Sequence, residues 1–244
     1  MSFWGKIVGS AAGLAIGGPI GALVGLAVGA AVDEGVDRIV GTAGDATRQV
    51  TFTIGVIALA AKMAKADGRV TRDEIDAFKQ VFRVAPEEMK NVGRVFDFAR
   101  QDTAGFEAYA KQIAELMQGN RTVLGDLLDG LFFIAKADGH VHPKEKEFLQ
   151  KVADIFGFSK GEWLDMETRH LGADSDSPYA VLGVSAEADD AAIRARYRKL
   201  VKENHPDRLL AEGVPSDFIA VANRRAAEIN AAYDRILTER GMRR

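Results

Sequence analysis

The sequence predicts an all-α chain: an N-terminal transmembrane helix, a pseudo-twofold helical bundle and a C-terminal helical hairpin. Three observations predict it. Residues 7–32 carry no charge, AKADGRV at 64–70 returns as AKADGHV at 135–141, and apolar residues elsewhere recur at helical spacing with strand-like alternation nearly absent. The 244 residues, 47% of them hydrophobic and 27% charged, suffice for a real core in one or two domains. A net charge of −3 spreads no basic field over the molecule, which argues against nucleic acid as the main partner. With no cysteine in the chain, disulfides and thiolate metal sites are excluded.

Behind a short flank, residues 1–6, the 26 uncharged residues 7–32 would extend ~39 Å as a helix, enough to cross a hydrocarbon core of about 30 Å. Their ten Ile, Leu and Val favour insertion, whereas seven glycines and Pro19 weaken a helix in water more than in lipid. Gly9, Gly13, Gly17, Gly21, Gly25 and Gly29 recur every four residues and form a ridge without side chains. Another helix can approach such a ridge closely, so a homodimer through the span is expected. The plainer alternative is an interfacial Gly/Ala-rich arm. A cleaved signal peptide fits poorly, because its apolar region would run to roughly 7–15 residues. Lys6, Arg38 and Arg48 are too few to orient the span. Residues 33–49 read as a juxtamembrane segment.

Residues 50–170 hold the repeat, whose copies are offset by 71 residues. In each copy an apolar helical run (54–66 and 124–137) ends at Asp-Gly, and another run follows (73–82 and 144–156). Further periodic stretches at 86–100, 106–117 and 160–170 bring the bundle to about seven helices. Glycine caps each first helix in the left-handed conformation. Thr71 and Glu74 read as a capping box, and Pro143 with Glu145 takes their place in the second copy. Asp67 and Glu74, like Asp138 and Glu145, are seven residues apart, so the four acids are placed to converge across the pseudo-twofold. Capping explains the glutamates without a metal. Zinc on His140 and His142 is disfavoured, since Arg69 and Thr71 stand at the first-copy positions and no cysteine assists.

The doubled KADG-x-V pattern resembles the TerB (tellurite-resistance) family over about residues 50–170. The resemblance implies Asp67, Glu74, Asp138 and Glu145 as suspected ligands of a divalent metal.

A polar linker at residues 171–176 leads to a last module, 177–244. SPYAVLGV at 177–184 reads as a short helix opening on proline, and 189–203 as a longer one with Asp189 and Asp190 at its positive end. On that helix Ile193, Tyr197 and Leu200 share one face, and Arg194, Arg198 and Lys202 run up another. It must stop near Asn204, ahead of Pro206. A second long helix, 215–240, carries Ala222, Ala226, Ile229, Tyr233 and Ile236 as its stripe. The pair makes an antiparallel hairpin with His205, Pro206 and Asp207 at its tip. Taken one by one, those three are a turn residue, a helix stop and a loop cap, and a basic helix face is most often only solvated.

PYAVLGV, RYRKLVKENHPDR and EINAAYDRI, in that order, resemble the J-domain family. The resemblance implies a partner, a DnaK-type ATPase chaperone, and a role in triggering its ATP hydrolysis. His205, Pro206 and Asp207 would be the trigger, with Arg208 beside it and Arg194, Arg198, Lys199 and Lys202 as the docking face. Tyr179, Leu182, Tyr197, Leu200, Ile229 and Tyr233 read as core. The whole arrangement, from MSFWGKIVG onward, is similar to the DjlA-type membrane-anchored co-chaperones. That similarity implies a single-pass protein of the bacterial inner membrane, N-terminus outside and C-terminal domains cytoplasmic. The short linker and the lack of a Gly/Phe-rich region or cysteine-rich zinc module set the chain apart from general J-proteins.

The leading expectation is therefore a co-chaperone with no catalytic residues and no cofactor of its own. The alternative is a metal- or stress-responsive membrane sensor built on the TerB-like domain. An enzyme using the Asp/Glu/His cluster stands last, because no phosphate loop and no nucleophile–base pair are present.

Overall fold

A computed structural model describes residues 19–21, 23, 44–82, 89–101, 103–172, 177–205, 207–208 and 219–242. Among them there is no strand, as the helical periodicity predicts. Seven helices form the bundle: α1 (Gly44–Ala64), α2 (Arg72–Phe82), α3 (Met89–Ala99), α4 (Phe106–Leu116), α5 (Arg121–Ala135), α6 (Pro143–Ile155) and α7 (Lys160–Leu171). Three follow in the C-terminal module: α8 (Pro178–Leu182), α9 (Asp190–Glu203) and α10 (Ile219–Arg240).

The two repeat-related helices form the centre. Over Phe52, Ile54, Val56, Ile57 and Leu59 helix α1 is buried on every side, and over Val123, Leu124, Leu127, Leu128, Leu131 and Phe132 so is α5. A helix apolar all round belongs inside, which is why charged, amphipathic neighbours wrap these two. Helix α1 packs on α3, α4 and α5, while α5 also packs on α2 and α6. One cation enters this core: Lys62 donates to the carbonyl of Ala104 (2.9 Å) and lies over the Tyr109 ring.

The repeat turns form as predicted. Gly68 and Gly139 take φ of +97° and +102°, conformations cheap only for glycine. Asp67 accepts from the backbone N–H of Arg69 and Asp138 from that of His140. Glu74 reaches back to the amide and hydroxyl of Thr71, and Glu145 to the amide of His142. A third box, Ser159 with Glu162, starts α7 and is one the sequence reading lacks.

The predicted span 7–32, and with it Gly9, Gly13, Gly17, Gly25 and Gly29, lies outside the described residues except at 19–21 and 23. Ile20 and Leu23, within that expected span, are buried among core residues of the bundle in this structure. Gly55 of α1 leaves the room: a Cβ there would sit 2.6 Å from Ile20 Cδ1. The amide of Ile20 donates to Gln112 Oε1 (3.2 Å). No helix among the described residues is long and apolar enough to cross a membrane.

The C-terminal hairpin has its own core of Leu182, Ile193, Leu200, Ile229, Tyr233, Ile236 and Leu237. Arg240 closes it, donating to Tyr179 Oη, the Ala188 carbonyl and Asp190. Ala222, expected on the hairpin's stripe, joins the core of the bundle. Helix α10 thus packs on α2 and α5 as well as on α8 and α9.

Candidate functional site

Helix α9 is held in one rotation about its axis. Asp189 accepts from the N–H of Ala192 at its start (2.7 Å). Ile193 and Leu200 are buried, and Tyr197 stacks on Tyr233 with ring centroids 3.8 Å apart and planes 6° from parallel. The Tyr197 hydroxyl donates to Asn230 Oδ1 (2.9 Å). With that face spent on α10, Arg198 and Lys202 are exposed and Arg194 half-buried, four residues apart along the helix. Lys199 is exposed as well; it lies 3.8 Å from Glu203 and lines a cleft with Arg121 and Glu162 of the bundle.

The helix stops at Asn204, buried, whose Nδ2 donates to the Leu200 carbonyl (2.8 Å). Immediately beyond, the His205 side chain is 55% and that of Asp207 87% exposed. His205 Nδ1 accepts from the amide of Asp207 (3.3 Å), and its carbonyl from the amide of Arg208 (3.0 Å). That bond assigns the neutral ring's proton to Nε2. Arg208 is exposed; Pro206 lies outside the described residues. An exposed imidazole, a carboxylate and a basic helix thus meet at one tip.

Of the four acids in the bundle, the structure brings two together. Glu74 and Glu145 are both buried, and their carboxyl groups hydrogen-bond each other across the pseudo-twofold. Burial, then the neighbouring Glu74, pushes Glu145 up to about 8. Two carboxyls in contact cannot both ionise, so the pair holds a proton. Asp67 and Asp138 each accept from an amide of their own loop, and the charge of Asp67 reaches both glutamates. No group of three or more His, Asp or Glu among the described residues is arranged for a metal.

One constellation escaped the sequence reading. Asp129 of α5 receives Arg169 Nη1 (3.3 Å), His170 Nε2 (2.6 Å) and Arg225 Nε of α10 (3.4 Å). Arg225 also donates to the Val181 carbonyl of α8 (3.2 Å), so one side chain ties α10 both to α8 and, through Asp129, to the bundle. The signals were there: Asp126 and Asp129 interrupt an apolar run, and Arg225 sits between Ala222 and Ile229 on the stripe of α10.

Comparison with known proteins divides the chain in the same way. The family model of the co-chaperone DjlA transmembrane domain matches residues 1–45, that of the tellurite resistance protein TerB residues 53–168, and that of the DnaJ domain residues 177–244. The co-chaperone protein DjlA of Shewanella oneidensis is 30% identical over 221 residues, covering 84% of each chain. That of Photobacterium profundum is 31% identical over 227 residues, 82% of each, and that of Aliivibrio fischeri 28% over 239 residues, 83% of each. No solved structure matches.

Proposed function

The chain belongs to the DjlA family of membrane-anchored J-domain co-chaperones, and from that premise we propose that it recruits a DnaK-type chaperone and stimulates its ATP hydrolysis through His205, Pro206 and Asp207. One observation carries the reading. His205 and Asp207 are presented to solvent at the end of a helix whose exposed face is basic, while the opposite face is locked by the Tyr197–Tyr233 stack.

Arg198 and Lys202, with Arg194 and Arg208 beside them, steer and hold an acidic surface of the partner. His205 and Asp207 then meet the groups of the ATPase that respond. The chain acts by binding and carries out no covalent step of its own. Because the ATP-bound partner is cytosolic, residues 33–244 face the cytosol, and the anchor places this activity at the inner membrane.

The test is single-turnover ATP hydrolysis by a DnaK-type chaperone with the full chain in detergent. Wild type should accelerate hydrolysis, and His205→Gln should lose most of the acceleration. A well-folded His205→Gln protein that stimulates like wild type would sink the mechanism and return the tripeptide to being a turn.

A further inference from the structure

Residues 19–21 and 23 of the expected span are helical and lie on the bundle. Ile20 is 0% and Leu23 2% exposed, and Gly21 is buried beside them. The bundle supplies both room and a polar partner for this segment. Glycine is a poor residue inside a helix, and close packing is a usual reason for one. At Gly55 of α1 a Cβ would lie 2.6 Å from Ile20 Cδ1 and 3.1 Å from Ile113 Cγ1 of α4, so the missing side chain leaves a hollow that Ile20 fills. The Ile20 amide donates to Oε1 of Gln112, half-buried on α4 (3.2 Å). In a membrane span backbone amides are satisfied within the helix itself; here a side chain of another element receives one.

This position and a membrane span exclude each other. Ile20 is the fourteenth of the 26 uncharged residues 7–32, so a span would place it near the bilayer midplane, ~15 Å from either interface. Gln112 cannot follow it there. Glu107, Lys111 and Glu115 are exposed on the same helix, and charges at that depth are costly. The contact with α1 and α4 therefore belongs to a chain whose anchor is outside the membrane.

We propose that Gly55 of α1, with Gln112 and Ile113 of α4, forms a docking site for the chain's own anchor at Ile20 and Leu23, and that the protein has a membrane-free form in which the bundle shields this part of the anchor from water. Docking covers Gly21, one of the ridge glycines, so it competes with self-association through the ridge as well as with insertion. Release from the bundle is thereby coupled to entry into the bilayer. His205 and Asp207 are exposed while the anchor is docked, so the membrane-free form presents the same tip to a chaperone.

The chain has no cysteine, so Ile20→Cys with Gly55→Cys introduces a single thiol pair and removes the side chain that a Cβ at position 55 would strike. The full chain carrying this pair is synthesised cell-free, once without membranes and once with inner-membrane vesicles, then treated with a short bifunctional maleimide. A second pair, Ile20→Cys with Gln112→Cys, repeats the comparison with α1 unaltered. An intramolecular cross-link is expected in the membrane-free chain, and its loss in the carbonate-resistant membrane fraction. Absence of the cross-link from the membrane-free chain with both pairs, or equal cross-linking in the inserted chain, overturns the site. A cross-linked dimer without cross-linked monomer assigns the segment to a second copy and overturns the intramolecular form. The readout involves no chaperone, so failure here leaves the J-domain reading standing.

Discussion

Arg225 of the C-terminal hairpin reaches Asp129 of the central bundle, Nε to Oδ2 at 3.4 Å, and both side chains are largely buried. The contact joins two units that have separate cores and only a short linker between them. Burial alone would raise the Asp129 carboxyl, but Arg169, Arg225 and His170 outweigh it and hold the group well below the usual carboxylate range. Asp129→Asn would remove the anion that Arg169 and Arg225 share, leaving Arg225 with Glu228 at 3.5 Å. A loss of about 3–5 kcal/mol is expected, as for other broken buried pairs, read from urea unfolding. Arg225→Gln should cost less, because Arg169 and His170 still satisfy Asp129. Equal stability of Asp129→Asn and wild type would contradict the geometry.

The acids raised by burial make stability fall with rising pH. Glu145 and Asp126, ordinarily 4.5 and 3.8, are each pushed to about 8 in the fold. Between those values the folded chain binds more protons than the unfolded chain, so unfolding free energy declines as pH increases. Asp129 has the opposite sign, but its contribution is lost only under strongly acid conditions, below this window. The urea midpoint should therefore drop between about pH 5 and pH 8. Glu145→Gln combined with Asp126→Asn should flatten that slope. A slope unchanged in the double variant would assign it elsewhere.

The same glutamates decide between cap and metal site. Each already accepts from a backbone amide, and together they hold a proton rather than an open ligand set. The melting temperature should stay unchanged when magnesium or manganese is added at neutral pH. Glu74→Ala should lower stability by about 1 kcal/mol through the lost capping box. A metal-dependent rise in melting temperature that Glu74→Gln and Glu145→Gln abolish would favour the metal instead, since a native-state ligand stabilises by mass action.

On the partner-facing helix, charge and trigger should separate. Arg198→Glu with Lys202→Glu leaves the Tyr197–Tyr233 stack untouched, so folding should change by no more than about 0.5 kcal/mol. Chaperone binding should weaken, most visibly at low salt, where the wild-type attraction is least screened. Asp207→Asn should instead reduce stimulation at saturating chaperone. If the two variants gave the same salt dependence and the same saturating rate, docking and triggering would not be distinct.

The glycine ridge predicts a property of the anchor. Replacing Gly17 and Gly21 with Leu should reduce self-association in a membrane reporter assay while preserving insertion. Equal association would leave the four-residue spacing without a role in dimer formation.

Periodicity carries local information, and so much of this architecture was legible without coordinates. The repeat turns at Gly68 and Gly139, the caps at Thr71 and Pro143, and the stop of α9 at Asn204 each depend on residues within a few positions of one another. Motif order did the same for the His205–Asp207 tip. What only the tertiary structure decided is which distant faces meet. Seven-residue spacing put four acids in register, yet only Glu74 and Glu145 touch, because Asp67 and Asp138 find nearer backbone partners. Asp129 and Arg225, 96 residues apart in the sequence, become an ion pair because α10 packs on α5 and both side chains are largely buried there. Hydrophobic pattern specifies that a face is buried; the packing of whole helices specifies against what.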